Sequence, residues 1–137
     1  MERTLTIIKP DSVRAGNTGN IVAHLQKEGF KVVAMRQMHL TEAQAKAFYA
    51  VHAERPFYGE LVEFMTSGPC VPMVLERDNA QEYLREVMGA TNSAEAAEGT
   101  IRNLYGTDIQ NNAIHGSDSL ENAAIESSFF FAGTELI

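Results

Sequence analysis

Apolar, strand-like runs alternate with helically spaced segments along most of this chain, and that alternation is its strongest constraint on folding. Residues 3–9 set Leu5, Ile7 and Ile8 among the β-formers Thr4 and Thr6, and Pro10-Asp11 stops the run. After the turn at 16–19, Ile21, Val22 and Leu25 share a helical face that Gly29 ends. Residues 30–40 form a second strand pattern. Thr41 then starts a helix, with Gln44 in the capping-box position. Pro56 suits the first turn of another helix, which buries Leu61, Val62, Phe64 and Met65. Cys70 to Glu76 reads as a third strand, and Asp78 with Gln81 reads as the start of the helix that carries Tyr83, Leu84 and Val87. The small, polar stretch 89–99 reads as a loop with one helical turn. A short amphipathic segment at 100–105 follows, then a brief extended run into His115 and a last helix capped by Ser119.

This order implies two split βαβ units. The expected architecture is α+β: a ferredoxin-like βαββαβ sandwich whose antiparallel four-stranded sheet is covered by helices on one face, in a single domain spanning 1–137. Pro72 cannot donate to a ladder and is expected at an edge or bulge. The second strand is apolar on both faces (Phe30, Val32 and Ala34; Val33 and Met35), which suits an edge strand in contact with another copy.

A length of 137 residues with 45% hydrophobic content is enough for a packed core. The net charge of −7 disfavours nucleic acid or an anionic membrane as the main partner. It leaves room for a small anionic substrate, provided that some of the eleven Lys and Arg residues converge. No apolar run approaches the roughly 18 residues of a membrane span, and the N-terminus shows no signal-peptide pattern. Cys70 is the only cysteine and lies in an apolar run, as expected of an inert thiol in a reducing cytoplasm.

Chemistry concentrates at 112–118, where a histidine, a glycine and short polar residues precede a helix start. Imidazole there can serve as base or nucleophile, with the helix N-terminus stabilising an anionic product; an ordinary strand–turn–helix connection carries the same residues. The four histidines have no metal-ligand spacing. The Gly-rich phosphate loop, the protein-kinase motifs and the nucleophile elbow of acyl transferases are all absent. Lys9, Phe57, Arg85, Thr91, Arg102 and Asn112 stand near element ends, where each alone is an ordinary surface or core residue.

Together they form a pattern. Thr4-Leu5-Thr6-Ile7-Ile8-Lys9-Pro10-Asp11, Phe48-Tyr49, Arg55-Pro56-Phe57 and Met65-Thr66-Ser67-Gly68-Pro69 open it. Arg85, Met88-Gly89-Ala90-Thr91-Asn92, Gly99-Thr100-Ile101-Arg102 and Asn112-Ala113-Ile114-His115-Gly116-Ser117-Asp118-Ser119 with Glu121 complete it. Over essentially its full length the chain resembles nucleoside diphosphate kinases. The resemblance implies that His115 accepts the terminal phosphoryl group of a nucleoside triphosphate, typically ATP, and passes it to a nucleoside diphosphate by a ping-pong route. It implies Glu126 as the group that orients the imidazole, with Ser117 and Tyr49 as hydrogen-bonding supports. Arg85, Thr91 and Arg102 correspond to the phosphate clamp, and these guanidiniums suit that work better than a helix dipole. Lys9 and Asn112 correspond to the residues at the sugar end of the phosphates, and Phe57 to the platform under the base. Mg²⁺ is expected to arrive on the nucleotide phosphates, with no protein side chain as its ligand. Gly116 is expected to keep the space beside the imidazole open.

The resemblance further implies a homo-oligomer, with a tetramer favoured over a dimer or hexamer. Ser93 where proline is common, Pro72 in a strand, Ile125, and Ser127 and Ser128 depart from the family pattern and bear on stability and assembly. A regulatory homologue without catalysis is the competing expectation; such a chain would have lost His115, Arg102 or Lys9, and all three are present.

Overall fold

A computed structural model of the protein describes residues 1–137. Strand β1 (Glu2–Ile8) runs straight into helix α1 (Pro10–Arg14). Pro10 was expected only to stop the strand. Its missing N–H and fixed φ also suit the first helical position, so it opens a helix as well. Helix α2 (Thr18–Lys27) buries Ile21 and Leu25 and leads to strand β2 (Lys31–Met35). That strand is shorter than expected, and beyond it only an isolated bridge joins Met38 to Cys70.

Helix α3 (Glu42–Phe48) begins with the expected capping box: the Gln44 N–H donates to Thr41 Oγ1 at 3.1 Å, and Gln44 Oε1 accepts from the Thr41 N–H at 2.9 Å. Helix α4 (Tyr58–Met65) starts two residues after Pro56, which therefore lies in the preceding turn. Strand β3 (Val71–Arg77) precedes helix α5 (Ala80–Met88). Asp78 does not cap α5. Asn79 takes the N-cap position in a left-handed conformation (φ 54°), and the Gln81 side chain instead donates to the Ser117 carbonyl at 3.1 Å. A 3₁₀ turn at Ser93–Glu95 interrupts the following loop. Helix α6 (Ile101–Tyr105), strand β4 (Ile114–Gly116) and helix α7 (Leu120–Phe130) complete the order. Ser119 Oγ caps α7 by accepting from the Asn122 N–H at 3.1 Å.

The four strands form one antiparallel sheet in the order β2-β3-β1-β4, an α+β arrangement. Helices cover both faces, not one. On one side α2, α5 and α6 pack Ile21, Leu25, Leu84, Met88 and Ile101 onto Ile8, Met73, Leu75 and Ile114. On the other, α3, α4 and α7 pack Ala45, Val62, Met65 and Phe130 onto Leu5, Ile7 and Val74. The cause is visible in β1, where five consecutive residues from Thr4 to Ile8 are buried, so neither face can be left to water.

Pro72 is in a central strand, where the family pattern puts it and not at the edge or bulge that its missing N–H suggested, and the ladder's one irregularity falls in β2 between Val32 and Ala34. The Pro72 carbonyl accepts from the Arg36 N–H at 3.2 Å, so its nitrogen also faces β2. There it meets the stretch between the Met35–Met73 pair and the Met38–Cys70 bridge, where no ladder bond is lost. Of the other departures, Ser93 and Ser127 are buried, whereas Ser128 and Ile125 are exposed. No helix is long and apolar enough to cross a membrane.

Candidate active site

The pairing of β1 with β4 sets Ile7 opposite His115 and Ile8 opposite Ile114. Lys9 lies just past the end of β1, and its backbone N–H donates to the Ala113 carbonyl at 2.9 Å. The two most distant functional stretches are thereby joined. Entry into β4 is tight: Ala113 is fully buried with φ 73°, and the Ile114 N–H donates to the Asn112 carbonyl at 2.9 Å, closing a three-residue γ-turn.

The His115 ring is fixed from behind. Its Nε2 is 2.8 Å from Glu126 Oε1 on α7, and the same oxygen accepts from the Ser117 hydroxyl at 2.9 Å. An ionised carboxylate can only accept, so in the neutral imidazole Nε2 carries the proton and Nδ1 keeps its lone pair. Phe48 and Tyr49 stand edge-on to the ring, with centroids 5.7 and 6.4 Å away. Tyr49 was expected to give hydrogen-bonded support, but its hydroxyl bonds no group of the protein; the ring packs edge-on to the imidazole and lines the cleft. Burial pushes the Tyr49 phenol up, which keeps it protonated.

The imidazole opens onto a cleft of about 420 Å³ that also receives Lys9, Tyr49, Phe57, Arg85, Thr91, Arg102 and Asn112. Eight of the ten expected site residues therefore converge there, while Ser117 and Glu126 stand behind the ring. Arg102 is only 8% exposed. It donates to the Gly89 carbonyl at 3.1 Å and to the Ile114 carbonyl at 2.8 Å; its Nε is buried without a partner, and no carboxylate pairs with it. Burial, helped by the nearby Arg85 charge, lowers its pKa to about 10. Lys9 donates to Asn112 Oδ1 at 2.9 Å and to the Gln110 carbonyl at 3.1 Å, and the Asn112 amide donates to the Thr91 carbonyl at 3.1 Å. Desolvation pulls Lys9 down to about 8. Arg85 reaches Asp118 at 3.1 Å. In a chain of net charge −7, three cations face one cleft, and two of them are buried without carboxylate contact. Such an arrangement is electrostatically incomplete until an anion enters.

Phe57, 45% exposed, lines the cleft beside His52, with ring centroids 5.4 Å apart. His52, Ile109 and Asp118 also line the cleft and were not singled out from the sequence. His52 lies three residues after Tyr49, about one helical turn on, and that spacing could have signalled it. Asp118 stands two residues after Gly116, on the same side of an extended chain. Gly116 lines the cleft beside His115, and it has a second role that was not expected: a Cβ there would lie 2.7 Å from Met88 Sδ and 3.2 Å from Leu84 Cδ2, so its bareness also lets β4 approach α5.

No group of three His, Cys, Asp or Glu side chains is placed to hold a metal ion, and Asp118, the cleft's one carboxylate, faces Arg85. The donor set is that of an anion site. A divalent cation would fit it only as the companion of an anion that brings its own oxygen ligands.

Comparison with known proteins agrees. A profile of the family described as nucleoside diphosphate kinase matches residues 2–136. The nucleoside diphosphate kinase of Chlorobium chlorochromatii is 60% identical over all of this chain and 98% of its own length, and that of Chlamydia felis is 60% identical over all of this chain and 97% of its own. Among solved structures, the Aquifex aeolicus nucleoside diphosphate kinase superposes with a TM-score of 0.97 at 47% identity, covering 99% of each chain. A halophilic nucleoside diphosphate kinase from Halobacterium salinarum, solved in complex with CDP, gives a TM-score of 0.94 at 43% identity, covering 99% of this chain and 91% of its own. With its cationic cleft, its braced histidine and these relatives, the chain belongs to the nucleoside diphosphate kinase family.

Proposed function

We propose that His115 is the nucleophile of a ping-pong phosphoryl transfer between nucleoside tri- and diphosphates. The observation that carries this is the Glu126–His115 contact of 2.8 Å, which leaves the Nδ1 lone pair for the cleft. In the first half-reaction Nδ1 attacks the terminal phosphorus of a nucleoside triphosphate such as ATP. The N–P bond forms, the bond to the bridging oxygen breaks, and the diphosphate departs with that electron pair. In the second half, a terminal oxygen of another nucleoside diphosphate attacks the same phosphorus, and the N–P electrons return to His115.

Transfer of this kind is positioning and charge stabilisation. Arg102 and Arg85 clamp the phosphates, with Thr91 and the Tyr49 hydroxyl as further donors. Lys9 and Asn112, already bonded to each other, hold the sugar end. Phe57 stacks under the base without reading its edges, so any base is accepted. Glu126, held by Ser117, keeps the imidazole in its tautomer and balances the charge that grows on the ring. Mg²⁺ would be held by the nucleotide's own phosphates rather than by a side chain of this cleft, and would supply neutralising charge there.

We place the reaction in one domain spanning 1–137, in a cytoplasmic homo-oligomer, a tetramer in preference to a dimer or hexamer. The outer edge of β2, with Met35 half exposed, supports self-association. Light scattering at several concentrations gives the mass.

The deciding experiment incubates the protein with terminally labelled ATP and Mg²⁺ without acceptor. Label on His115 that survives alkali, is lost in acid and is discharged by GDP supports the mechanism. Transfer retained in His115→Ala would refute it.

A further inference from the structure

We infer that Asp11 is a positioning residue of this site: it holds the γ-turn that presents Asn112 and His115, and it sets a negative charge beside Lys9. The inference rests on the phosphoryl-transfer reading above and concerns a residue that does not line the cleft.

Ala113 occupies the left-handed region (φ 73°), which side chains other than glycine rarely adopt, and it does so fully buried. Both of its peptide groups are held by the segment just after β1. The Ala113 N–H donates to Asp11 Oδ2 at 3.1 Å, and its carbonyl accepts from the Lys9 N–H at 2.9 Å. What the turn presents is the site itself. Asn112 before it bonds Lys9 and Thr91, the Ile114 carbonyl after it receives Arg102, and His115 follows. An unfavourable turn persists only where its surroundings over-determine it, and here the Asp11 carboxylate is the side chain that does so.

The charge has a second use. A neutral asparagine would satisfy the Ala113 N–H equally well, while the other oxygen of Asp11 is buried without a partner. Lys9 donates only to neutral oxygens, those of Asn112 and Gln110. The groups facing it are Asp11 on α1, Asp108 in the 107–111 loop, Arg102 on α6, and the Phe64 ring of α4 with its centroid 5.1 Å from Nζ. Desolvation and Arg102 favour neutral Lys9. Asp11 opposes them most strongly, and Asp108 adds to it.

The test follows the Lys9 side-chain carbon resonance against pH in the full chain, assigned by its disappearance in Lys9→Arg, alongside single-turnover phosphorylation of His115. In Asp11→Asn, which keeps the acceptor and loses the charge, the Lys9 midpoint falls below its wild-type value of about 8. The alkaline loss of nucleotide affinity moves with it, while phosphorylation measured well below that pH stays near wild type. In Asp11→Ala, or Asp11→Ser if the first does not fold, the turn is released and phosphorylation falls roughly 10²-fold even where Lys9 is charged. An unmoved Lys9 midpoint in Asp11→Asn overturns the charge role. A lower melting temperature with an unchanged phosphorylation rate in the alanine or serine variant overturns the positioning role. Failure of the wild type itself to take up label refutes the phosphoryl-transfer reading and leaves the Lys9 titration to judge Asp11.

Discussion

Glu126 Oε1 lies 2.8 Å from His115 Nε2 and also accepts from the Ser117 hydroxyl. In the proposed mechanism the carboxylate selects which nitrogen attacks. Glu126→Gln offers an amide that also donates, so the ring loses its enforced tautomer and the developing imidazolium loses its counter-charge. Single-turnover labelling from ATP should slow by on the order of 10²–10⁴-fold, with nucleotide affinity little changed. Equal losses in rate and affinity would assign Glu126 to binding instead.

Lys9 titrates near 8 in the free protein. Below that pH it is a cation facing the cleft; above it the charge is lost, so kcat/KM for a nucleoside triphosphate should fall, roughly tenfold per pH unit at the limit. The stability sign is opposite. The fold binds fewer protons than the unfolded chain between about 8 and the ordinary lysine value of 10.5, so this group's contribution to stability rises with pH through that window. Lys9→Arg, which stays charged, should abolish the alkaline limb of the kcat/KM profile.

Arg102 spans two backbone carbonyls with a planar fork that lysine cannot reproduce. Arg102→Lys should lower kcat/KM by about 10²–10³-fold, the range for removing one preorganised donor. Ligand stabilisation should weaken in parallel. At a nucleotide concentration about a hundredfold above Kd the wild type gains about 2.7 kcal/mol, and the variant needs proportionally more ligand for the same rise in Tm.

Gly116→Ala should cost about 1–3 kcal/mol, because the new methyl meets Met88 Sδ at 2.7 Å. Shortening the obstacle should help: Gly116→Ala with Met88→Ala should be less destabilised than the two single changes summed. Urea unfolding of the four proteins measures the coupling, and strict additivity would mean that the contact is relieved elsewhere.

Ser93 is buried with an unpartnered hydroxyl, its N–H reaches the Asp108 carbonyl only at 3.5 Å, and Asn92 before it is extended (φ −80°, ψ 110°). Those are conditions proline accepts. Ser93→Pro should raise stability by about 0.4–1 kcal/mol, measured by thermal unfolding.

What could be read from the sequence was local. Thr41 and Gln44 lie three apart and make their capping box without outside help, and Ser119 caps its helix in the same way. What escaped was decided by distant neighbours. Gly116 answers to Met88, Gln81 leaves its helix start for Ser117, and the buried faces of β1 call helices to both sides of the sheet. Pro72 is tolerated because β2 breaks off beside it, a fact of β2 and not of β3. The eight residues that converge on the cleft were named one by one through family resemblance. The Asp118 and His52 positions became evident only when the cleft closed around them.

The β1–β4 pairing also has a kinetic meaning. Lys9 meets Asn112 across 103 positions, Asp11 meets Ala113 across 102, and Thr6 meets His115 across 109. Loops of that length are closed late and at an entropic cost that no local contact repays in advance. Until they close, His115, Arg102 and Lys9 are scattered along the chain. The cleft is therefore assembled only when the two ends of the chain have met.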